Sequence, residues 1–143
     1  MIKRLNTRKH LAGLMTASEN LNIESRILNF NQIEIEPIEL YGSYIKNKLI
    51  GYIGINTYKN KALQIFALKT DGGPAFYNDI IKFLDYTMLF LDWATFEVME
   101  KSPGENLVRI LSKKKPEYKI RELHRETTKN GSKIIKYIGG SYQ

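Results

Sequence analysis

Lys69-Thr70-Asp71-Gly72-Gly73-Pro74-Ala75 decides how the rest of the chain is read. Before it runs Ala62-Leu63-Gln64-Ile65-Phe66-Ala67-Leu68, apolar and rich in the residue types of a buried strand. After it, Phe76, Ile80, Ile81, Phe83, Leu84, Thr87 and Met88 recur at helical spacing, which predicts a helix over 75–90. Two glycines and a proline therefore stand where a strand passes into a helix. The first N–H groups of a helix have no partner within it, and the helix dipole favours negative charge beside them. Glycine lets a ligand approach the backbone closely. The junction is the best candidate in this sequence for an anion site. A purely structural reading of the same residues is that Gly72-Gly73 turns the chain and Pro74 opens the helix.

Upstream of the junction the pattern predicts three antiparallel strands. Segments 40–45 and 49–55 flank the polar turn Lys46-Asn47-Lys48 and form a hairpin. A second polar turn at 58–61 leads into the strand at 62–68. Gly51 and Gly54 lower strand propensity and mark a bulge or a close neighbour. Farther back, Glu34-Ile35-Glu36-Pro37-Ile38-Glu39 takes an extended or loop path, because Pro37 breaks any helix. A helical piece is predicted at 23–30. A longer helix, capped by Asn6 or Thr7 and weakened by Gly13, runs to about Asn20 after a short first strand.

Downstream, 93–99 reads as a strand ended by Ser102-Pro103-Gly104. Glu105 to about Lys113 reads as a short helix that Pro116 stops. The last element is a hairpin, 118–127 and 133–138, joined through Asn130-Gly131.

The chain of 143 residues, 43% hydrophobic, is long enough for a real core and is expected to be one domain over 1–143. No apolar run is long enough to span a bilayer, and the N-terminus lacks the apolar centre of a signal peptide. There is no cysteine, so disulfides, thiolate metal sites and a cysteine nucleophile are excluded. His10 and His124 are far apart and show no metal-ligand spacing, so no metal is expected. Neither a phosphate loop of the Gly-x-x-x-x-Gly-Lys type nor a Gly-x-Ser-x-Gly turn is present. These features favour the cytoplasm.

Charge is unevenly placed. Residues 1–100 hold 11 basic and 11 acidic side chains; residues 101–143 hold 11 basic and 4 acidic, so the whole excess of +7 lies in the last third. A one-ended positive field attracts polyanions.

The order of elements is strand, two helices, three meandering strands, glycine turn, long helix, strand, short helix and final hairpin. Over nearly the whole chain it resembles the Gcn5-related N-acetyltransferase (GNAT) superfamily. Lys46-Asn47-Lys48-Leu49-Ile50-Gly51-Tyr52-Ile53-Gly54-Ile55 looks like that family's second-to-third strand segment. Gly72-Gly73 stands where such proteins place an acyl-CoA pyrophosphate loop, and Asn106 where many carry an asparagine beside the pantetheine. The family loop reads Gln/Arg-x-x-Gly-x-Gly/Ala. One register uses Lys69, Gly72 and Pro74; the preferred one uses Thr70, Gly73 and Ala75. Asp71 puts an unfavourable negative charge nearby in both. The tyrosine that many members use as general acid is missing from the short helix, where Lys113 stands near its place and Tyr118 lies farther along.

The resemblance implies an α/β (α+β) fold: a central mixed, mostly antiparallel sheet flanked by helices, with a C-terminal β-hairpin. It implies acyl transfer from acetyl-CoA to an amine acceptor, unidentified here, by direct attack on the thioester. Phe66, Leu68, Lys69, Thr70, Gly72, Gly73, Ala75 and Asn106 would hold the co-substrate, with backbone N–H groups around 66–69 on the carbonyl oxygen. Glu34, Glu36 or Glu39 would be the base, and Tyr118 the proton donor to the leaving thiolate. The alternative is a binding protein on the same fold with its chemistry lost. Its basic last third, through Lys113, Lys114, Lys115, Lys119, Arg121 and Arg125, would dock nucleic acid or another acidic macromolecule. On this reading Lys119, Arg121 and Arg125 share one face of a basic ribbon. Local pairing with Glu117, Glu122 and Glu126, or burial of the hairpin in a homodimer, is the competing account of that charge.

Overall fold

Among the described residues, seven strands form one sheet. They are β1 (Ile2–Leu5), β2 (Ile38–Ile45), β3 (Lys48–Tyr58), β4 (Lys61–Lys69), β5 (Trp93–Met99), β6 (Arg121–Thr127) and β7 (Lys133–Gly140). Their order across the sheet is β1-β2-β3-β4-β5-β7-β6. Every neighbouring pair is antiparallel except β4 and β5, which are parallel. The helices are α1 (Thr7–Asn20), α2 (Ala75–Thr87) and α3 (Pro103–Lys114), with a 3-10 turn at Pro116–Tyr118. The computed structural model describes residues 1–20, 38–59, 61–70, 74–128, 131 and 133–140. The helical piece expected at 23–30 lies outside them.

Local chemistry sets these elements. The β2–β3 connection is two residues, Lys46 and Asn47, both with positive φ (48° and 67°). That is the turn whose twist matches the flanking strands. Asn6 Oδ1 accepts the Lys9 N–H at 3.2 Å and caps α1. The strand-breaking Ser102-Pro103-Gly104 belongs to a helix start: α3 opens at Pro103, two residues before the expected Glu105. Proline suits the first helical position, where its missing N–H costs nothing. Helix α2 stops at Thr87, short of the expected 90, with the Met88 N–H closing onto Leu84 O.

The sheet is covered on both faces. On one, Leu14 and Ala17 of α1 pack with Leu40, Tyr52, Phe66 and Leu68. On the other, Phe76, Ile80 and Phe83 of α2 pack with Ile50, Ile53, Ile55, Ala62 and Ala94. Both helices sit very close to the sheet. A β-carbon at Gly13 would lie 2.3 Å from the Tyr52 hydroxyl, and one at Gly51 would lie 2.3 Å from the Phe76 ring. Gly13 thus weakens α1 as a helix but lets it dock.

Candidate functional site

β4 and β5 pair at only two positions, Lys61 with Trp93 and Ala62 with Ala94. Beyond them the strands separate. β4 stays on β3 as far as Lys69 opposite Gly51, and β5 stays on β7 as far as Met99 opposite Ile134. Each strand follows its antiparallel partner, so the sheet opens between the two parallel ones. The opening is a cleft of about 380 Å³, walled by β4, α2, β5 and α3. Its lining is mainly apolar: Phe66 and Leu68 on one side, Phe76 and Ile80 below, Val98, Val108 and Leu111 on the other. Polar groups come from the β5 side: Glu97, Glu100, Lys101 and Ser102.

The backbone of β4 is directed into this opening. The Thr70 N–H donates to Ile50 O at 3.0 Å, toward β3. Alternation along the strand turns the N–H groups of Leu68 and Phe66 the same way, and those of Ala67 and Ile65 toward the cleft. There β5 offers no ladder partner. Backbone N–H groups without a strand partner are free to donate to an acceptor that enters the opening.

Helices α2 and α3 both begin near the rim, and they differ. Helix α3 satisfies its own start. Ser102 Oγ accepts the Glu105 N–H at 3.4 Å, and Glu105 Oε2 accepts the Lys101 N–H at 2.5 Å. This is a variant of the reciprocal Ser-x-x-Glu cap. Among the described residues, helix α2 has no side-chain cap at Pro74 and no acidic residue in its first turn. Its start therefore suits an added anion; that of α3 already has its acceptors.

The residues expected from sequence fall into three groups. Phe66 and Leu68 line the cleft. Thr70 follows β4, with its Oγ1 donating to Leu49 O at 3.1 Å, and Ala75 is the first residue of α2. Lys69 closes β4 opposite Gly51. Away from the lining, Asn106 is exposed on α3, where its Oδ1 accepts from Arg109 at 3.5 Å. Tyr118 turns its hydroxyl to Asp85 on α2. Burial, and then the Asp85 hydrogen bond, raise the Tyr118 pKa well beyond its ordinary value. Glu39 accepts from the Tyr41 hydroxyl at 2.8 Å and stands 3.6 Å from Arg4, also away from the lining. Glu34, Glu36, Gly72 and Gly73 lie outside the described residues.

Glu97 is the functional candidate that sequence reasoning missed. Val98 faces α3, since a β-carbon on Gly104 would touch it at 3.2 Å. Its neighbour Glu97 therefore projects to the opposite face, the one α1 covers, at the open edge of β5. Its Oε2 is buried. In sequence Glu97 is one polar residue in an alternating strand; nothing marks that strand as the cleft wall.

The expected basic ribbon does not form as drawn. A bulge at Leu123 shifts the β6–β7 register, so Arg121 opposes Ile138 while Arg125 opposes Ile135, and the two arginines face opposite sides of the sheet. Lys119 precedes the strand with a φ of 51°. Arg125 pairs with Glu122 at 2.8 Å and Glu100 at 3.4 Å, and Lys115 with Asp85 at 3.1 Å. Lys113 and Lys114 are exposed in the last turn of α3.

No family model and no curated protein matches the sequence. Solved structures do match in fold. The ribosomal-protein-S18-alanine N-acetyltransferase from Escherichia coli superposes with a TM-score of 0.73, over 100% of this chain and 94% of that one, at 12% identity. Aminoglycoside 6'-acetyltransferase type Ii gives 0.63, over 100% and 98%, at 12% identity. A Bacillus subtilis acetyltransferase in complex with CoA gives 0.61, over 96% and 95%, at 12% identity. The fold is that of the GNAT acetyltransferases, a mixed and mostly antiparallel sheet with helices on both faces.

Proposed function

We propose that this protein is an acyl-CoA-dependent N-acyltransferase acting on an amine. The observation that carries the reading is the split between β4 and β5, which turns the Ile65 and Ala67 N–H groups into an apolar cleft. Acyl-CoA fits what surrounds it. The apolar walls suit a pantetheine arm, the unladdered edge of β4 suits its amides and acyl oxygen, and the uncapped start of α2 suits its phosphates. Bound there, the co-substrate supplies an activated acyl thioester.

The chain supplies position, donors and a base. The walls hold the arm between β4 and β5 and exclude water. The cleft-facing N–H groups of β4 donate to the acyl oxygen as charge grows on it, a preorganised role that needs no rearrangement. Glu97, on the opposite face at the cleft edge, takes the proton from the attacking amine as the amide C–N bond forms, and the C–S bond breaks with CoA leaving as the thiolate. Tyr118, held on Asp85, is a positioning residue that ties the exit of α3 to α2. The rival reading, docking of nucleic acid by the basic last third, is weakened by the local pairing of Lys115 and Arg125.

Calorimetric titration with acetyl-CoA tests the reading. Binding is expected in the wild type and is weakened roughly tenfold or more in Ala67→Pro, which removes one cleft-facing N–H and no ladder bond to β3. No heat at millimolar acetyl-CoA, or equal binding by the variant, would overturn it. An acylation assay over a panel of primary amines then identifies the acceptor.

A further inference from the structure

We propose that β6 is a self-pairing edge through which two copies join into one continuous sheet. The inference is independent of the transferase reading. Among the described residues, every position of β6 is exposed and the strand ends the sheet on that side. A bare edge is a template for another strand, and proteins commonly block it with charge of one sign. The opposite edge is blocked in this way: a two-fold through β1 would set Lys3 against Lys3 or Arg4 against Arg4. β6 is different. Reading Arg121-Glu122-Leu123-His124-Arg125-Glu126 against itself in antiparallel sense places Arg121 opposite Glu126, Glu122 opposite Arg125 and Leu123 opposite His124.

Such pairing works only if opposed residues share a face. In a regular strand, residues five apart point to opposite sides, so Arg121 and Glu126 could not meet across the two-fold. The bulge at Leu123 corrects the parity. Arg121 opposes Ile138 and Glu126 opposes Ile134, and both of those β7 residues lie on one face. Glu122 opposes Tyr137, which stacks on Phe96, and Arg125 opposes Ile135, which lies opposite Val98; both are on the face that α3 covers. The bulge that spoils a basic ribbon thus produces a strand complementary to itself on both faces. Opposite charges placed across antiparallel strands attract, and like charges so placed repel.

Sedimentation velocity tests this through charge reversal. The wild type is expected to dimerise reversibly at micromolar concentration. Glu122→Arg sets Arg against Arg across the two-fold, and Arg125→Glu sets Glu against Glu. Each variant alone is expected to associate roughly tenfold or more weakly than wild type. Their equimolar mixture restores opposite charges at both positions and is expected to recover the dimer. The pairing of Glu122 with Arg125 within one chain cannot produce that recovery, because each chain of the mixture still carries like charges. Circular dichroism confirms that both variants are folded. A monomeric wild type, undiminished association of either variant, or a mixture no better than its components would each overturn the proposal.

Discussion

Tyr118 donates its hydroxyl hydrogen to Asp85 Oδ1, and Lys115 Nζ stands 3.1 Å from the same oxygen. The contact joins the 3-10 turn after α3 to the last turns of α2, two helices that wall the cleft. The Tyr118 hydrogen bond, aided by Lys115 and opposed by burial, lowers the Asp85 pKa. Asp85 therefore contributes stability that is complete above the ordinary aspartate pKa and fades as pH falls through the depressed one. Tyr118 is shifted upward, so its contribution is complete below the ordinary tyrosine pKa and is lost as pH rises toward the raised one. Tyr118→Phe is expected to cost about 1 kcal/mol at neutral pH and to flatten both limbs. Urea midpoints across pH for wild type and variant check this.

Gly51 lies under the Phe76 ring, with room for no side chain. Gly51→Ala should cost roughly 1–3 kcal/mol, because α2 must lift from the sheet or Phe76 must leave its rotamer. Phe76→Leu should return part of that loss in the double variant while costing stability by itself. A denaturant double-mutant cycle reads the coupling. Simple additivity would show that α2 does not rest on Gly51.

Ser102 caps α3 on the cleft rim. Ser102→Ala should lower stability by about 1 kcal/mol and loosen the rim, whereas Ser102→Asp should keep the cap. Melting temperature distinguishes them, and acetyl-CoA affinity should follow the same order.

Glu97→Gln keeps shape and removes the base. The expected result is a fall in kcat of roughly 100-fold or more, with acetyl-CoA binding nearly unchanged. A variant as active as wild type would remove Glu97 from the mechanism.

Much of the architecture was legible in the sequence because it depends on local pattern. The Lys46-Asn47 turn, the meander through β4, the helix after the junction and the strand at 93–99 follow from periodicity and turn chemistry, which act over a few residues. The two glycines in β3 were readable as marking a bulge or a close neighbour; only packing decides for the neighbour and identifies Phe76 for Gly51 and Phe66 for Gly54. The site divided along the same line. Phe66 and Leu68 sit on a strand the pattern exposes, and they line the cleft. Whether the β4 N–H groups face β3 or the opening depends on hydrogen-bond parity, which the Thr70 to Ile50 bond fixes. That Glu97 stands on a cleft wall depends on β5 leaving β4 after two residue pairs. That Arg121 and Arg125 part company depends on one extra residue in β6. Local sequence determines which segments become strands and helices. Register, bulges and strand separation arise from distant segments competing for the same edges, so only the tertiary structure decides them.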